Sequence, residues 1–268
     1  MRAVAGVVLV IVGVAAALAS AQSSGECVVI YDVAVDTTWR SDPKACAIRL
    51  SPASTFKIPH ALVALETGVI TPETLQRWDG TKYTNRSPWE KSHTLESAIQ
   101  NSVVWFFQRT AVSIGPDRMR GFLERFRYGN ADTSGPPDQY WLNGRLRISA
   151  DEQVAFLRRF YANDLGITAG HHDAVRRAMI EPPGGVQNAT GVHQLTKPWS
   201  AGTELTAKTG AGMALTDPAI RVSWLVGRLS VSGKHYIVAS NIVRRGTLDP
   251  VEASRLAFRT FRERRLIE

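Results

Sequence analysis

The hydrophobic rhythm of the chain changes several times. Residues 3–20 form an unbroken apolar run behind Arg2, and short β-branched stretches follow. Cys27 to Val33 predicts a strand and Cys46 to Leu50 a second short one, the two reading as a hairpin. From Ser54 to Thr67, Phe56, Ile58, Leu62, Val63 and Leu65 stand among good helix formers and Gly68 supplies a stop. Pro59 inside that helix demands an irregular start. Thr94 to Ile114 is helical with an interruption near Asn101-Ser102, and Asp117 to Phe126 is an amphipathic helix ending by Gly129. Ser149 to Glu152 is a capping box that opens a helix through about Ala162.

The period then shortens. Glu204 to Thr209, Ile220 to Leu229 and His235 to Val243 have strand character, the last two joined by a tight turn at Val231 to Lys234. Pro250 to Leu266 returns to helical spacing. Strands at both ends with helices between them predict an α+β fold: one antiparallel sheet assembled from distant parts of the chain and flanked by helices. Any helical subdomain is an insertion, at about 70–200, within a single domain spanning 22–268.

Composition narrows the class. With 268 residues, 44% hydrophobic and 21% charged, the chain is neither disordered nor a coiled coil, and it is long enough to bury a core without a metal or many disulfides. A net charge of +8 fits either a nucleic-acid partner or a basic enzyme. Residues 1–21 decide between them: one basic residue, an uncharged apolar run and Ala19-Ser20-Ala21 make the pattern of a secretory signal peptide, cleaved before Gln22. An exported protein has little access to nucleic acid, and after leader cleavage no membrane association is expected. In an oxidising compartment the only two cysteines, Cys27 and Cys46, are expected to pair.

Three short segments carry candidate chemistry. In Ser54-Thr55-Phe56-Lys57 a hydroxyl and an amine three residues apart share one helix face. A serine needs a base to act as a nucleophile, and burial beside Phe56 and Ile58 would strip Lys57 of the charge that prevents it from serving. Lys208-Thr209-Gly210, at a strand end, offers a cation and a hydroxyl to an anionic substrate beside a glycine that permits close backbone approach. Ser102, in Asn101-Ser102-Val103-Val104, is a second serine at the suspected helix break. The six histidines show no metal-ligand spacing, so no metal is expected, and neither a glycine-rich phosphate loop nor a Gly-x-Ser-x-Gly elbow occurs.

These segments, in this order and in an exported chain, resemble those of the class D β-lactamases, the oxacillinase-type serine hydrolases. The matching stretches are PASTFKIPHALVALETG at 52–68, TLESAIQNSVVWFFQ at 94–108, RYGN at 127–130, DQYWLNGRLRISADEQVAFL at 138–157 and AKTG at 207–210. The resemblance implies the β-lactamase/penicillin-binding-protein-like fold, an antiparallel sheet flanked by helices with an all-helical insertion. It also implies a periplasmic, monomeric or homodimeric enzyme that hydrolyses β-lactams through an acyl-Ser54 intermediate. Lys57 then corresponds to the lysine that the family carboxylates on Nζ. No cofactor beyond carbon dioxide or bicarbonate is implied.

By the same resemblance Trp141 holds the carbamate, Val104 lowers polarity around it, and Ser102 relays a proton. Backbone N–H groups of Ser54 and Ala211 form the oxyanion hole. Lys208, Thr209 and Gly210 border the substrate, whose carboxylate falls to Thr209 and Arg255, with Arg244 and Arg245 as competing arginines. Two other classes share the fold and the serine-lysine pair. One is a β-lactam sensor domain that remains acylated, expected to carry membrane spans and signalling segments beyond a leader. The other is a penicillin-binding transpeptidase or carboxypeptidase.

Overall fold

The computed structural model of the protein describes residues 24–268; the predicted leader lies outside them. Five strands, β1 (Ser24–Asp32), β2 (Thr37–Arg40), β5 (Thr203–Met213), β6 (Ile220–Val231) and β7 (Lys234–Arg245), form one sheet in the order β2-β1-β7-β6-β5. Every neighbouring pair is antiparallel. The first and last thirds of the chain therefore meet at β1–β7, as expected for a sheet built from distant segments. Val231 pairs with Lys234 across a two-residue turn. Ser232 and Gly233 there both take positive φ, the conformation that matches the twist of a tight hairpin.

The partner of β1 differs from expectation. Cys46 to Leu50 is not a strand: Pro43–Cys46 is a short helix, α1, capped by the Asp42 carboxylate, and Leu50 makes only an isolated bridge to Ile148. The hairpin is closed instead by the short, half-exposed edge strand β2. A Cys27–Cys46 disulfide is nonetheless formed, joining α1 to β1 across 19 positions of sequence.

Alternation along the strands divides the core. Val28, Ile30, Leu225 and Val238 face α8 (Glu252–Glu263), where Phe258 and Phe261 cover them. Val29, Trp224, Val226 and Ile237 face the helical layer. That layer contains α2 (Lys57–Glu66), α3 (Leu95–Gln100), α4 (Val104–Ile114), α5 (Pro116–Phe126), α6 (Ala150–Tyr161) and α7 (Ala169–Ala178). A small hairpin, β3 (Gly185–Asn188) with β4 (Gly191–Gln194), follows α7. The capping box is present, Ser149 and Glu152 each bonding the other's backbone N–H. Pro59 is tolerated because it is the third residue of α2, where backbone N–H groups have no intrahelical acceptor.

Candidate active site

Ser54 sits in a single 3-10 turn, Ala53–Phe56, that runs directly into α2. The turn is held from three sides. Ser51 N donates to Ala214 O at 2.8 Å, Ser51 Oγ donates to Trp141 O at 3.1 Å, and Trp224 Nε1 donates to Ser51 O at 2.9 Å. Strand β5 passes so close that a Cβ on Gly210 would lie 3.1 Å from Pro52 O and 3.2 Å from Thr55 N. Glycine at 210 is thus what lets the Lys208-Thr209-Gly210 segment pack against the Ser54 turn.

Lys57 begins α2, and its Nζ lies 2.8 Å from Ser54 Oγ. It is 0% exposed and surrounded by rings: Phe107 has its centroid 5.3 Å from Nζ, while Phe56, His60 and Trp141 pack on one another at 5.5–5.6 Å. Burial, reinforced by the Lys208 cation, holds the amine well below its ordinary pKa. Burial thus favours the uncharged amine, which is hydrogen-bonded to a serine hydroxyl. The same burial, with Lys57 beside it, lowers His60 to about 3, so this histidine is a neutral wall of the cage, bonded through Nε2 to Thr110 Oγ1 at 3.0 Å.

One donor in the cage is left over. Trp141 is fully buried, and its indole Nε1 has no hydrogen-bond partner. An orphaned N–H in the same aromatic cage as a buried lysine is an arrangement that an anion formed on that lysine would complete. The residues present therefore fit a carboxylated Lys57, with Trp141 as the group that would hold it.

The helix break between α3 and α4 places Ser102 at the same cavity, with φ of +51° and little exposure. Ser54, Ser102, Val104, Thr209, Gly210 and Ala211 all line that cavity. Lys208 lies buried behind it, donating to Thr209 O at 3.1 Å. Burial lowers the Lys208 pKa, and the Glu181 carboxylate opposes that shift. Glu181 is pushed up by its own burial, against the pull of Lys208 and of the Gln187 N–H. Among the described residues no group of three or more His, Cys, Asp or Glu side chains could hold a metal ion.

Arg255 does not join this set. It is absent from the cavity lining, and its guanidinium, 52% exposed, is held by Asp249 at 2.5 Å. Its competitors are paired as well, Arg244 with Glu252 and Arg245 with Asp217. The guanidinium in the lining is that of Arg86, which donates to Asn85 O and lies 5.8 Å from the Trp89 ring centroid. Sequence reasoning passed over Arg86, and over Asn188 and Thr190 of the β3–β4 hairpin, which also line the cavity. None belongs to a motif, and only the folding of two polar loops over the serine brings them there.

A serine on a helix-opening turn, a buried lysine 2.8 Å from its hydroxyl and a Lys-Thr-Gly strand across the cleft form one contiguous site. Residues 6–259 match the penicillin binding protein transpeptidase domain. OXA-2 β-lactamase of Escherichia coli is 44% identical over 146 residues, 53% of this chain and 52% of that protein, so the chain spans about half the length of that relative. OXA-10 β-lactamase of Pseudomonas aeruginosa is 38% identical over 214 residues, 76% of this chain and 73% of that one. The structure superposes on class D β-lactamase BAT-2 with a TM-score of 0.76 and 31% identity, covering 91% and 93% of the two chains. The C-terminal domain of the Bacillus licheniformis BlaR penicillin receptor also matches, with a TM-score of 0.78 and 26% identity over 94% and 95% of the chains. The chain belongs to the penicillin-binding transpeptidase-domain family and, within it, to the class D β-lactamases.

Proposed function

We propose that the protein is an exported, periplasmic serine β-lactamase that hydrolyses the lactam amide of penicillin-type antibiotics. The observation that carries this reading is the contact of 2.8 Å between Ser54 Oγ and the buried Lys57 Nζ, an amine whose pKa burial lowers. The neutral nitrogen can form a bond to the carbon of CO2 and release a proton, which an ammonium cannot do. When carboxylated, Lys57 supplies an anionic general base for both half-reactions.

Ser54 gives up its proton and attacks the lactam carbonyl, and the carbon–nitrogen bond of the ring breaks. The N–H groups of Ser54 and Ala211 hold the oxygen on which charge develops. Ser102 passes a proton to the departing ring nitrogen, and buried Lys208 lowers the cost of negative charge nearby. Water then displaces Ser54 and frees the enzyme. Trp141 holds the modified Lys57 through its indole N–H, while Val104 and the aromatic cage exclude water. For the substrate carboxylate, Thr209 and Arg86 already stand in the lining; Arg255 would have to leave Asp249 to reach it.

The likeness to the BlaR receptor domain makes a lasting acyl-enzyme the reading to be separated. Time-resolved mass spectrometry with benzylpenicillin does so. Loss of the adduct with many turnovers per enzyme is the expected result; a stable one-to-one adduct would overturn hydrolysis in favour of a sensor or a transpeptidase.

A further inference from the structure

A second cavity, of about 580 Å³, shares no lining residue with the catalytic one. It is walled by the last two turns of α6 and by residues of β1, β6 and β7. Nearer the start of α6, Gln153 Nε2 donates to Thr55 Oγ1 at 2.8 Å. One helix thus contacts the Ser54 turn near one end and walls this cavity at the other. Three arginines line the cavity against one carboxylate, that of Asp164. Arg159 Nε donates to Asp164 Oδ2 at 3.3 Å. Arg158 lies over the Tyr31 ring, 3.8 Å from its centroid, and donates to Asp36 Oδ1 at 3.1 Å.

Arg228, half-buried on β6, differs from both. Its guanidinium lies 4.5 Å from the Tyr161 ring centroid, and among the described residues no carboxylate is paired with it. The ring positions the cation without giving it an acceptor oxygen. A guanidinium fork matches a carboxylate, which it holds by two parallel N–H bonds. Between the cations the wall is apolar, formed by Val33, Ala155, Ala162 and Ile237. The volume falls in the range of about 300–1,000 Å³ typical of small-molecule sites, and a bare inorganic anion would leave the apolar wall uncovered.

We infer that this cavity is a binding site for an organic carboxylate with a ring-sized apolar body, its carboxylate on Arg228 and its body against α6 and Ile237. Isothermal titration calorimetry with 2-naphthoate tests the site on the wild-type protein, Arg228→Gln and Arg86→Gln. Saturable binding to the wild type is expected. Arg228→Gln should weaken it about tenfold or more, the size of one charge-assisted hydrogen bond, and Arg86→Gln, at the catalytic cavity, should leave it within about twofold. Neutral 2-naphthamide lacks the charge and acetate lacks the body, so each should bind at least about tenfold more weakly than 2-naphthoate.

Absence of binding to the wild-type protein overturns the proposal, as does affinity that survives Arg228→Gln or depends on Arg86 in its place. Equal binding of the amide or of acetate overturns it too, since the site would then select no carboxylate or no apolar body. If Arg228→Gln lowers the melting temperature, Ala155→Trp tests the same cavity with every cation in place. Ala155 is an exposed residue of α6 that lines the cavity. An indole there fills the space and is expected to abolish binding; undiminished affinity overturns the proposal. Binding alone is read, so the outcome is independent of any reaction at Ser54.

Discussion

Replacing Trp141 with phenylalanine isolates the indole N–H. The ring that stacks 5.6 Å from Phe56 is largely retained, and the Trp141 carbonyl that receives Ser51 Oγ belongs to the backbone. What disappears is the buried Nε1 donor without a partner. A hydrogen bond to a charged group contributes about 1.5–3 kcal/mol, and each 1.4 kcal/mol is a factor of ten, so the carbon dioxide concentration for half-maximal activity should rise about ten- to a hundredfold. The assay is benzylpenicillin turnover in buffer stripped of carbon dioxide and titrated with bicarbonate, with melting temperature as a check on folding. Trp141→Phe is expected to be nearly inactive without bicarbonate and to recover as it is added. Identical bicarbonate dependence in variant and wild type would refute the reasoning, because the orphaned donor would then have no anion to hold.

Three further outcomes follow from the same geometry. His60 has its pKa lowered from 6.5 to about 3, so between those values the unfolded chain binds a proton that the folded chain refuses, and stability drops as pH falls through that window. His60→Gln should flatten the dependence of unfolding free energy on pH there by up to about 1.4 kcal/mol per pH unit; parallel curves in urea unfolding would contradict the burial argument. Reducing Cys27–Cys46 opens a loop spanning 19 positions and should cost about 3 kcal/mol, a fall in Tm of about 6–12 °C. Calorimetry of protein verified as reduced and showing an unmoved transition would remove that claim. Arg86→Gln should raise KM for benzylpenicillin about tenfold with little change in kcat, whereas Arg255→Gln should change it less than about twofold. The opposite pattern would return the carboxylate to Arg255.

Elements whose signals are local were readable before folding. The capping box at Ser149, the helix break at Ser102 and the turn at Ser232-Gly233 each rest on a few adjacent residues, and all three are present. Strand β2 escaped because Thr37–Arg40 is polar, short and half-exposed, while the more apolar Cys46–Leu50 drew the assignment. Helix α7, with two histidines and two arginines in ten residues, offers little apolar periodicity, and its stability comes from packing against α2 and α3. The β3–β4 hairpin is likewise held by tertiary contacts such as Gln187 to Asn101.

The site divides the same way. Ser54, Lys57, Ser102, Thr209 and Gly210 come from motifs with fixed spacing, and the fold brings them together. Arg255 is the exception, because a basic helix face cannot show which arginine an acid will claim, and Asp249 claims this one. The lowered pKa of Lys57 is expected from two apolar neighbours, yet the burial that causes it draws on Phe107 from α4 and Trp141 from a loop far along the chain. No local window contains that information.

Carbon-13 NMR of actively hydrolysing protein equilibrated with labelled carbon dioxide measures the state of Lys57 directly. A carbamate resonance is expected in the wild type, absent from Lys57→Ala. Protein that turns over benzylpenicillin while showing no such resonance would contradict the account.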